Sequence, residues 1–110
     1  MKLDDLHKAL VDCQDKSLSL EAIEGFRLVA LTYIRSRDLS IKSVGLDRGF
    51  VRDYLLAKQV EHWKRYNPAK AVNDSAAWLF FMQVVGSAYA NIHMKKRKEI
   101  NAAYGRQSTI

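Results

Sequence analysis

The stretch GLDRGFVRDYLLAKQ, residues Gly45 to Gln59, joins a tight turn to the start of a helix. Gly45 permits a backbone turn with positive φ, which other residues rarely adopt. Asp47 is well placed to cap a helix beginning at Arg48, because a carboxylate accepts from the first backbone N–H groups. The pattern predicts a helix from Arg48 to about Tyr66. The helix is expected to end there because Pro68, the chain's one proline, forces the residue before it out of the helical region.

Apolar side chains also recur at helical spacing on the N-terminal side of this stretch. Residues Lys2 to about Asp15 have leucines three and four apart, which predicts an amphipathic helix. Either Ser17 or Ser19 can cap a second helix. Its middle, LVALTYI over residues 28–34, is apolar nearly all round and predicts a central position in the fold.

Two further helices complete the prediction. Asp38 and Ser40 are alternative caps for a short helix that ends before Gly45. Residues 75–104 contain almost nothing that breaks a helix, so a long C-terminal helix with the basic run KKRK near its end is expected. The fold class is therefore predicted to be all-α: one domain over residues 1–110, with four main helices and one short helix.

The composition excludes several classes of protein. The chain has 110 residues, and its one cysteine cannot form an internal disulfide, which indicates a cytoplasmic setting. No nucleophile motif, phosphate-binding glycine loop or metal-ligand spacing is present. We therefore expect no enzyme activity, no catalytic residue, no metal site and no cofactor.

Positive charge is concentrated in the middle of the chain. The net charge is +6, and residues 35–70 carry nine basic and four acidic side chains. Such a surface attracts polyanions. Residues 75–94 carry no formal charge and superficially resemble a membrane span, but polar side chains recur along them, so a buried amphipathic helix is preferred and no membrane is expected as a partner.

The region 37–57 fits the requirements of a helix-turn-helix, with a short helix, a glycine turn and a second helix. Val44 and Leu46 would pack their apolar side chains on either side of the turn glycine. Val51 and Tyr54 would hold the inner face of the second helix against the core. The segment GLDRGFVRDYL resembles the turn and recognition helix of bacterial helix-turn-helix repressors. The sequence departs from their pattern at Ile41, where such proteins usually have alanine or glycine.

The resemblance implies a DNA-binding regulator of transcription whose partner is double-stranded DNA. Arg48, Arg52 and Asp53 would face base edges in the major groove. Phosphate contacts would come from Arg35, Arg37, Lys42 and Lys58. Because a two-fold DNA site is normally read by two copies, a homodimer through the C-terminal helix is expected.

Two alternatives remain open. A helical accessory or inhibitor protein of a mobile element, acting on a host factor or an acidic protein, would use the cluster HWKRY, with Trp63, Arg65 and Tyr66 as its interface. RNA or single-stranded nucleic acid could instead be held by KKRK together with Tyr89 and Tyr104.

Overall fold

Three helices form the centre of the computed structural model, which describes residues 3–13, 16–71, 73 and 75–108. These described residues form helices but no strand, and the predicted all-α bundle of four main helices and one short helix is confirmed. The helices are α1 (Leu3–Asp12), α2 (Leu20–Ser36), α3 (Asp38–Ser43), α4 (Arg48–His62) and α5 (Ala76–Ser108). Short 3₁₀ turns, Trp63–Arg65 and Pro68–Lys70, connect α4 to α5.

The caps of α2 and α4 are those expected from the sequence. The Ser19 hydroxyl accepts a hydrogen bond from the Ala22 N–H at 3.2 Å, which resolves the choice between the two serines. The Asp47 carboxylate accepts from the Phe50 N–H at 2.9 Å. Gly45 has φ of 69°, the left-handed conformation that the predicted turn requires.

The predicted caps of α3 are wrong. Neither Asp38 nor Ser40 caps the helix, which begins at Asp38 directly after the boundary residue Arg37 and has no side-chain cap. The backbone leaves helical geometry at Arg37 itself, which has φ of −117° and ψ of 19° and whose N–H donates to both Tyr33 O and Ile34 O at 3.1 Å. As a result, α3 follows α2 with a single residue between them.

The predicted bounds of α1, α4 and α5 also differ from the structure. The α4 helix was expected to reach Tyr66 but ends at His62, and a 3₁₀ turn, Trp63–Arg65, follows it. The ends expected for the first helix, Lys2 and Asp15, lie outside the described residues. Its described part ends at Asp12, where the Cys13 N–H makes a tight turn by donating to Leu10 O. At the other end of the chain, α5 continues through Gly105 to Ser108, since one glycine weakens a helix without stopping it.

Aromatic contacts show the relative directions of the three central helices, α2, α4 and α5. The Phe26 and Phe81 rings lie 4.7 Å apart and the Tyr33 and Tyr89 rings 5.5 Å apart, so α2 and α5 are parallel. By contrast, α4 runs antiparallel to both. Phe26 and Phe81 are fully buried, and rings packed in this way account for much of a small core's stability.

One polar side chain crosses this core. Gln59 of α4 is completely buried, and its Nε2 donates to Phe26 O at 2.8 Å and to Leu55 O at 3.3 Å. Its Oε1 is buried with no hydrogen-bond partner among the described residues. An amide in this position can only donate to the two carbonyls, so its orientation is fixed.

The α1 helix covers one end of the bundle. Leu6 and Leu10 are buried against the core, and His7 Nδ1 lies 2.8 Å from the Tyr66 hydroxyl. The opposite end is formed by α3 and by the second half of α5. In the described part of the chain, no helix combines the length and the apolar character needed to cross a membrane.

Candidate nucleic-acid interface

The helix directions bring distant basic residues together at the end of the bundle opposite α1. The last turn of α2, all of α3, the start of α4 and the second half of α5 meet there. Each of these elements carries cationic side chains. We call this set the basic end: Arg35, Arg37, Lys42, Arg48, Arg52, Lys95, Lys96, Arg97 and Lys98.

A groove joins the turn to α5. Leu46 and Phe50 line one side of it, and Lys95 and Lys96 line the other, around a volume of about 570 Å³. The KKRK run is therefore beside the start of α4, although more than 40 residues separate the two in the sequence. Its charge adds to the field of Arg48 and Arg52 at the same end of the molecule.

One acidic side chain, Asp38, pairs with a predicted base-contacting residue, Arg48, and with a predicted phosphate-contacting residue, Lys42. Arg48 Nη2 lies 2.9 Å from Asp38 Oδ1, and Lys42 pairs with the other oxygen of the same carboxylate at 3.1 Å. The Arg48 contact is ionic and not a well-aligned hydrogen bond. Since the Arg48 side chain is 55% exposed, the pair is a surface ion pair of small net stability.

Arg52 and Asp53 are neighbours that pair with each other. Arg52 Nε donates to Asp53 Oδ1 at 3.1 Å, and the Asp53 side chain is 69% exposed. The acids near the start of α2, Glu21 and Glu24, could have drawn these arginines away from the basic end by pairing with them. Neither Arg48 nor Arg52 pairs with them, so both guanidinium groups stay at the basic end. Asp53 therefore orients its neighbouring arginine.

The residues expected to build the turn are buried or partly buried. Ile41 and Val51 are fully buried, Val44 is nearly so, and Leu46 and Tyr54 pack against the core while partly exposed. The Leu46 N–H donates to Ile41 O at 3.1 Å, which closes the turn. Ile41 is the one buried residue of α3, and its side chain belongs to the core cluster.

Lys58 lies away from the other predicted phosphate-contacting residues. It is ten residues after Arg48, about 15 Å along α4 at 1.5 Å per residue. Its Nζ pairs with Glu61 at 3.3 Å and lies 5.6 Å from the centre of the Tyr54 ring. The structure thus gathers Arg35, Arg37 and Lys42 at the basic end and leaves Lys58 on the side of the bundle.

Phe50 was missed by the sequence analysis. It is the third residue of α4, is 53% exposed and stacks on Tyr54 with the ring centres 6.1 Å apart. An exposed aromatic ring at the start of a basic helix is suited to contact with a thymine methyl group. The sequence signal was an aromatic residue within the first turn of the predicted helix, next to the basic residues Arg48 and Arg52.

The alternative protein interface is at the α1 end. Arg65 is exposed, and Trp63 is half-buried with Lys64 Nζ 5.9 Å from its ring. Tyr66 is only 9% exposed and packs against Phe80 with the ring centres 5.5 Å apart, so its ring belongs to the core. For the alternative RNA site, Tyr89 is buried too, and the Tyr104 side chain lies outside the described residues.

The residues that the structure describes include no group of three His, Cys, Asp or Glu side chains that could hold a metal ion. Comparison of the chain with protein-family models, with curated proteins and with solved structures found no match. The assignment of a function therefore depends on the geometry and charge described above.

Proposed function

We propose that this chain is a small regulator that binds double-stranded DNA through its basic end. The observation that carries the proposal is the meeting of the α3 turn, the start of α4 and the KKRK run at one end of the bundle. The start of α4 enters the major groove, where Arg48 and Arg52 donate to guanine edges and Phe50 contacts a thymine methyl group.

The flanking cations bind the phosphate backbone. Lys42 shares the Asp38 carboxylate with Arg48, and Lys95 and Lys96 line the groove beside Phe50, so phosphate contacts can form around the start of α4. The ion pair between Arg52 and Asp53 exchanges for DNA contacts at little cost, because exposed pairs are weak.

Replacing Arg48 and Arg52 together by alanine tests this assignment. Each arginine is proposed to make a bidentate base contact, so the double variant is expected to lose roughly 30-fold or more in affinity for a selected DNA site. Sites are first selected from random duplexes, and binding is then measured by fluorescence anisotropy at several salt concentrations. A linear fall of log affinity with log salt is expected, because phosphate contacts release counterions.

The matched control removes the same charge far from the basic end. Arg27→Ala with Arg65→Ala is expected to leave the DNA affinity within about 3-fold of the unmodified chain, since rim and distant charges act only through a screened field. Equal losses in the two double variants would contradict a recognition role for α4. Absence of any binding at low salt would refute DNA binding and favour the protein-binding alternative, with Trp63 and Arg65 as its first residues to test.

We further propose that the chain forms a homodimer through the outer face of α5. Leu79 and Met94 are exposed at 60% and 56%, and the exposed Ala90 lies on the same face of the helix. Small and apolar residues repeating on an uncharged helix face allow close approach of a second helix. A symmetric pair would also present two basic ends to DNA.

Leu79→Glu is expected to shift the dimer toward monomer by at least about tenfold in dissociation constant, since a carboxylate would be buried without a partner. Sedimentation equilibrium measures the shift. The control is Val60→Glu on α4, also at an exposed apolar position and outside the α5 face. A monomeric unmodified chain at high concentration, or an equal effect of both substitutions, would contradict the proposed interface.

A further inference from the structure

A pocket separate from the start of α4 opens at the basic end between the last turn of α2 and the second half of α5. Its volume is about 450 Å³. The polar side chains that line it include Tyr33, Arg37 and Ser40 on one side and His93, Arg97 and Lys98 on the other. None of its lining residues is Asp or Glu.

The absence of carboxylates distinguishes this pocket from the groove beside the turn. In that groove Asp47 and Glu99 lie close to Lys95 and Lys96 and partly neutralise them. Among the described residues, by contrast, no ion pair involves Arg37, Arg97 or Lys98. Three uncompensated cations around one cavity produce a local field that attracts a multiply charged anion.

Arg37 is held in position for such an anion. Its Nε donates to the Tyr33 hydroxyl at 3.3 Å, and its guanidinium carbon lies 5.5 Å from the centre of the Tyr33 ring. The hydrogen bond to Tyr33, together with the charge interaction between the two groups, raises the pKa of Arg37 above its usual value. Arginine is charged at any physiological pH, and because the hydrogen bond to Tyr33 uses Nε, the Nη donors are left for a ligand.

The hydroxyl groups of the pocket supplement these donors. Because the Tyr33 oxygen accepts from Arg37, its own hydrogen is directed elsewhere and is available to an acceptor. Ser40 and Tyr89 share a hydrogen bond of 2.7 Å that ties α3 to α5 and fixes the floor of the pocket. The lining therefore offers mainly donors, which suits an anion with several acceptor oxygens.

We propose that this pocket binds a phosphate group through Arg37, Arg97 and Lys98. A phosphate carries more charge and more acceptor oxygens than a carboxylate, and arginine matches its geometry with paired donors. The group can belong to a nucleic-acid backbone or to a small phosphorylated ligand, since the chemistry recognised is the same. The inference shares the basic end with the proposed function but does not depend on DNA being the ligand.

Inorganic pyrophosphate is the probe for a first experiment on the full chain. Calorimetric titration at constant ionic strength is expected to give a dissociation constant below about 1 mM, and Arg37→Gln is expected to weaken it at least tenfold. Arg35→Gln is the control, because it removes the same charge two residues earlier, in the last turn of α2 and outside the pocket. A combined Arg97→Gln, Lys98→Gln variant is expected to reproduce the loss, and circular dichroism checks that each variant is folded.

Competition with labelled duplex DNA distinguishes the two sources of the phosphate. If pyrophosphate displaces DNA and Arg37→Gln weakens both, the pocket binds a backbone phosphate. If pyrophosphate binds without displacing DNA, the pocket binds a small phosphorylated ligand. Either result supports the inference. Undetectable binding up to about 10 mM pyrophosphate, or equal effects of Arg37→Gln and Arg35→Gln, overturns it and leaves the Arg48 and Arg52 test of DNA binding unaffected.

Discussion

Gln59→Glu is expected to destabilise the protein by about 3 to 5 kcal/mol at neutral pH, the cost of an unpaired buried charge. The substitution keeps the size of the side chain but replaces its donor with an acceptor. Phe26 O and Leu55 O, which lie 2.8 and 3.3 Å from Nε2, would then face a carboxylate. Like the carbonyls, a carboxylate only accepts hydrogen bonds, so both contacts become repulsive.

The loss in Gln59→Glu is expected to depend on pH. Burial favours the protonated acid, which can still donate to Phe26 O, so the folded-state pKa of the new carboxyl group is raised above its unfolded value of about 4.3. The variant should therefore approach the stability of the unmodified chain below this unfolded pKa and lose stability as the pH rises above it.

Urea denaturation at pH 4 and pH 7 measures the free energy of unfolding of the variant and of the unmodified chain at each pH. Gln59→Leu is the control, with a similar volume and no charge. Because Gln59→Leu also removes the unpartnered Oε1, its free energy of unfolding is expected to stay within about 1.5 kcal/mol of that of the unmodified chain at both pH values. A loss in Gln59→Glu that is below about 1 kcal/mol, or that is the same at both pH values, would contradict the buried position of this side chain.

Phe81→Ala is expected to destabilise the protein by about 3 to 5 kcal/mol, the usual cost of removing a core aromatic ring. Phe81 is fully buried, and its ring contacts Phe26 at 4.7 Å, Phe80 at 5.0 Å and Tyr66 at 6.0 Å between ring centres. Its removal leaves a cavity between α2, α5 and the turn after α4.

The control for Phe81→Ala lies two residues earlier on the same helix. Leu79 is 60% exposed in the monomer, so Leu79→Ala is expected to cost less than about 1 kcal/mol of monomer stability. Thermal and urea denaturation at low protein concentration measure both variants while limiting self-association. Similar losses at the two positions would mean that the outer face of α5 is buried in the species being measured.

Local features of the fold were predictable because they depend on neighbouring residues. The cap at Asp47, the positive φ of Gly45 and the helix that follows them all appear within three residues of sequence. The boundary at Arg37 was not predictable in the same way. Asp38 and Ser40 are both residue types that cap helices, but the backbone turns one residue earlier, at Arg37, and α3 begins at Asp38 itself.

Features that depend on helix directions could not be inferred from the sequence. The ion pair of Arg48 with Asp38 joins two elements across the turn, and the position of KKRK beside Phe50 requires α4 and α5 to be antiparallel. Gln59 was also overlooked, because a polar residue between Leu55 and His62 does not fit an apolar pattern. Its burial follows from an acceptor on another helix.

The junction at Arg37 links the parts of the basic end. Ile41 anchors α3 in the core, and the Ser40 and Tyr89 hydroxyl groups join it to α5. The ion pair of Asp38 with Arg48 joins it to α4. Since the Arg37 side chain also lines the pocket proposed to bind phosphate, an anion held there by Arg37 and Arg97 would cross-link this junction to α5 and add one more connection at the same end of the bundle.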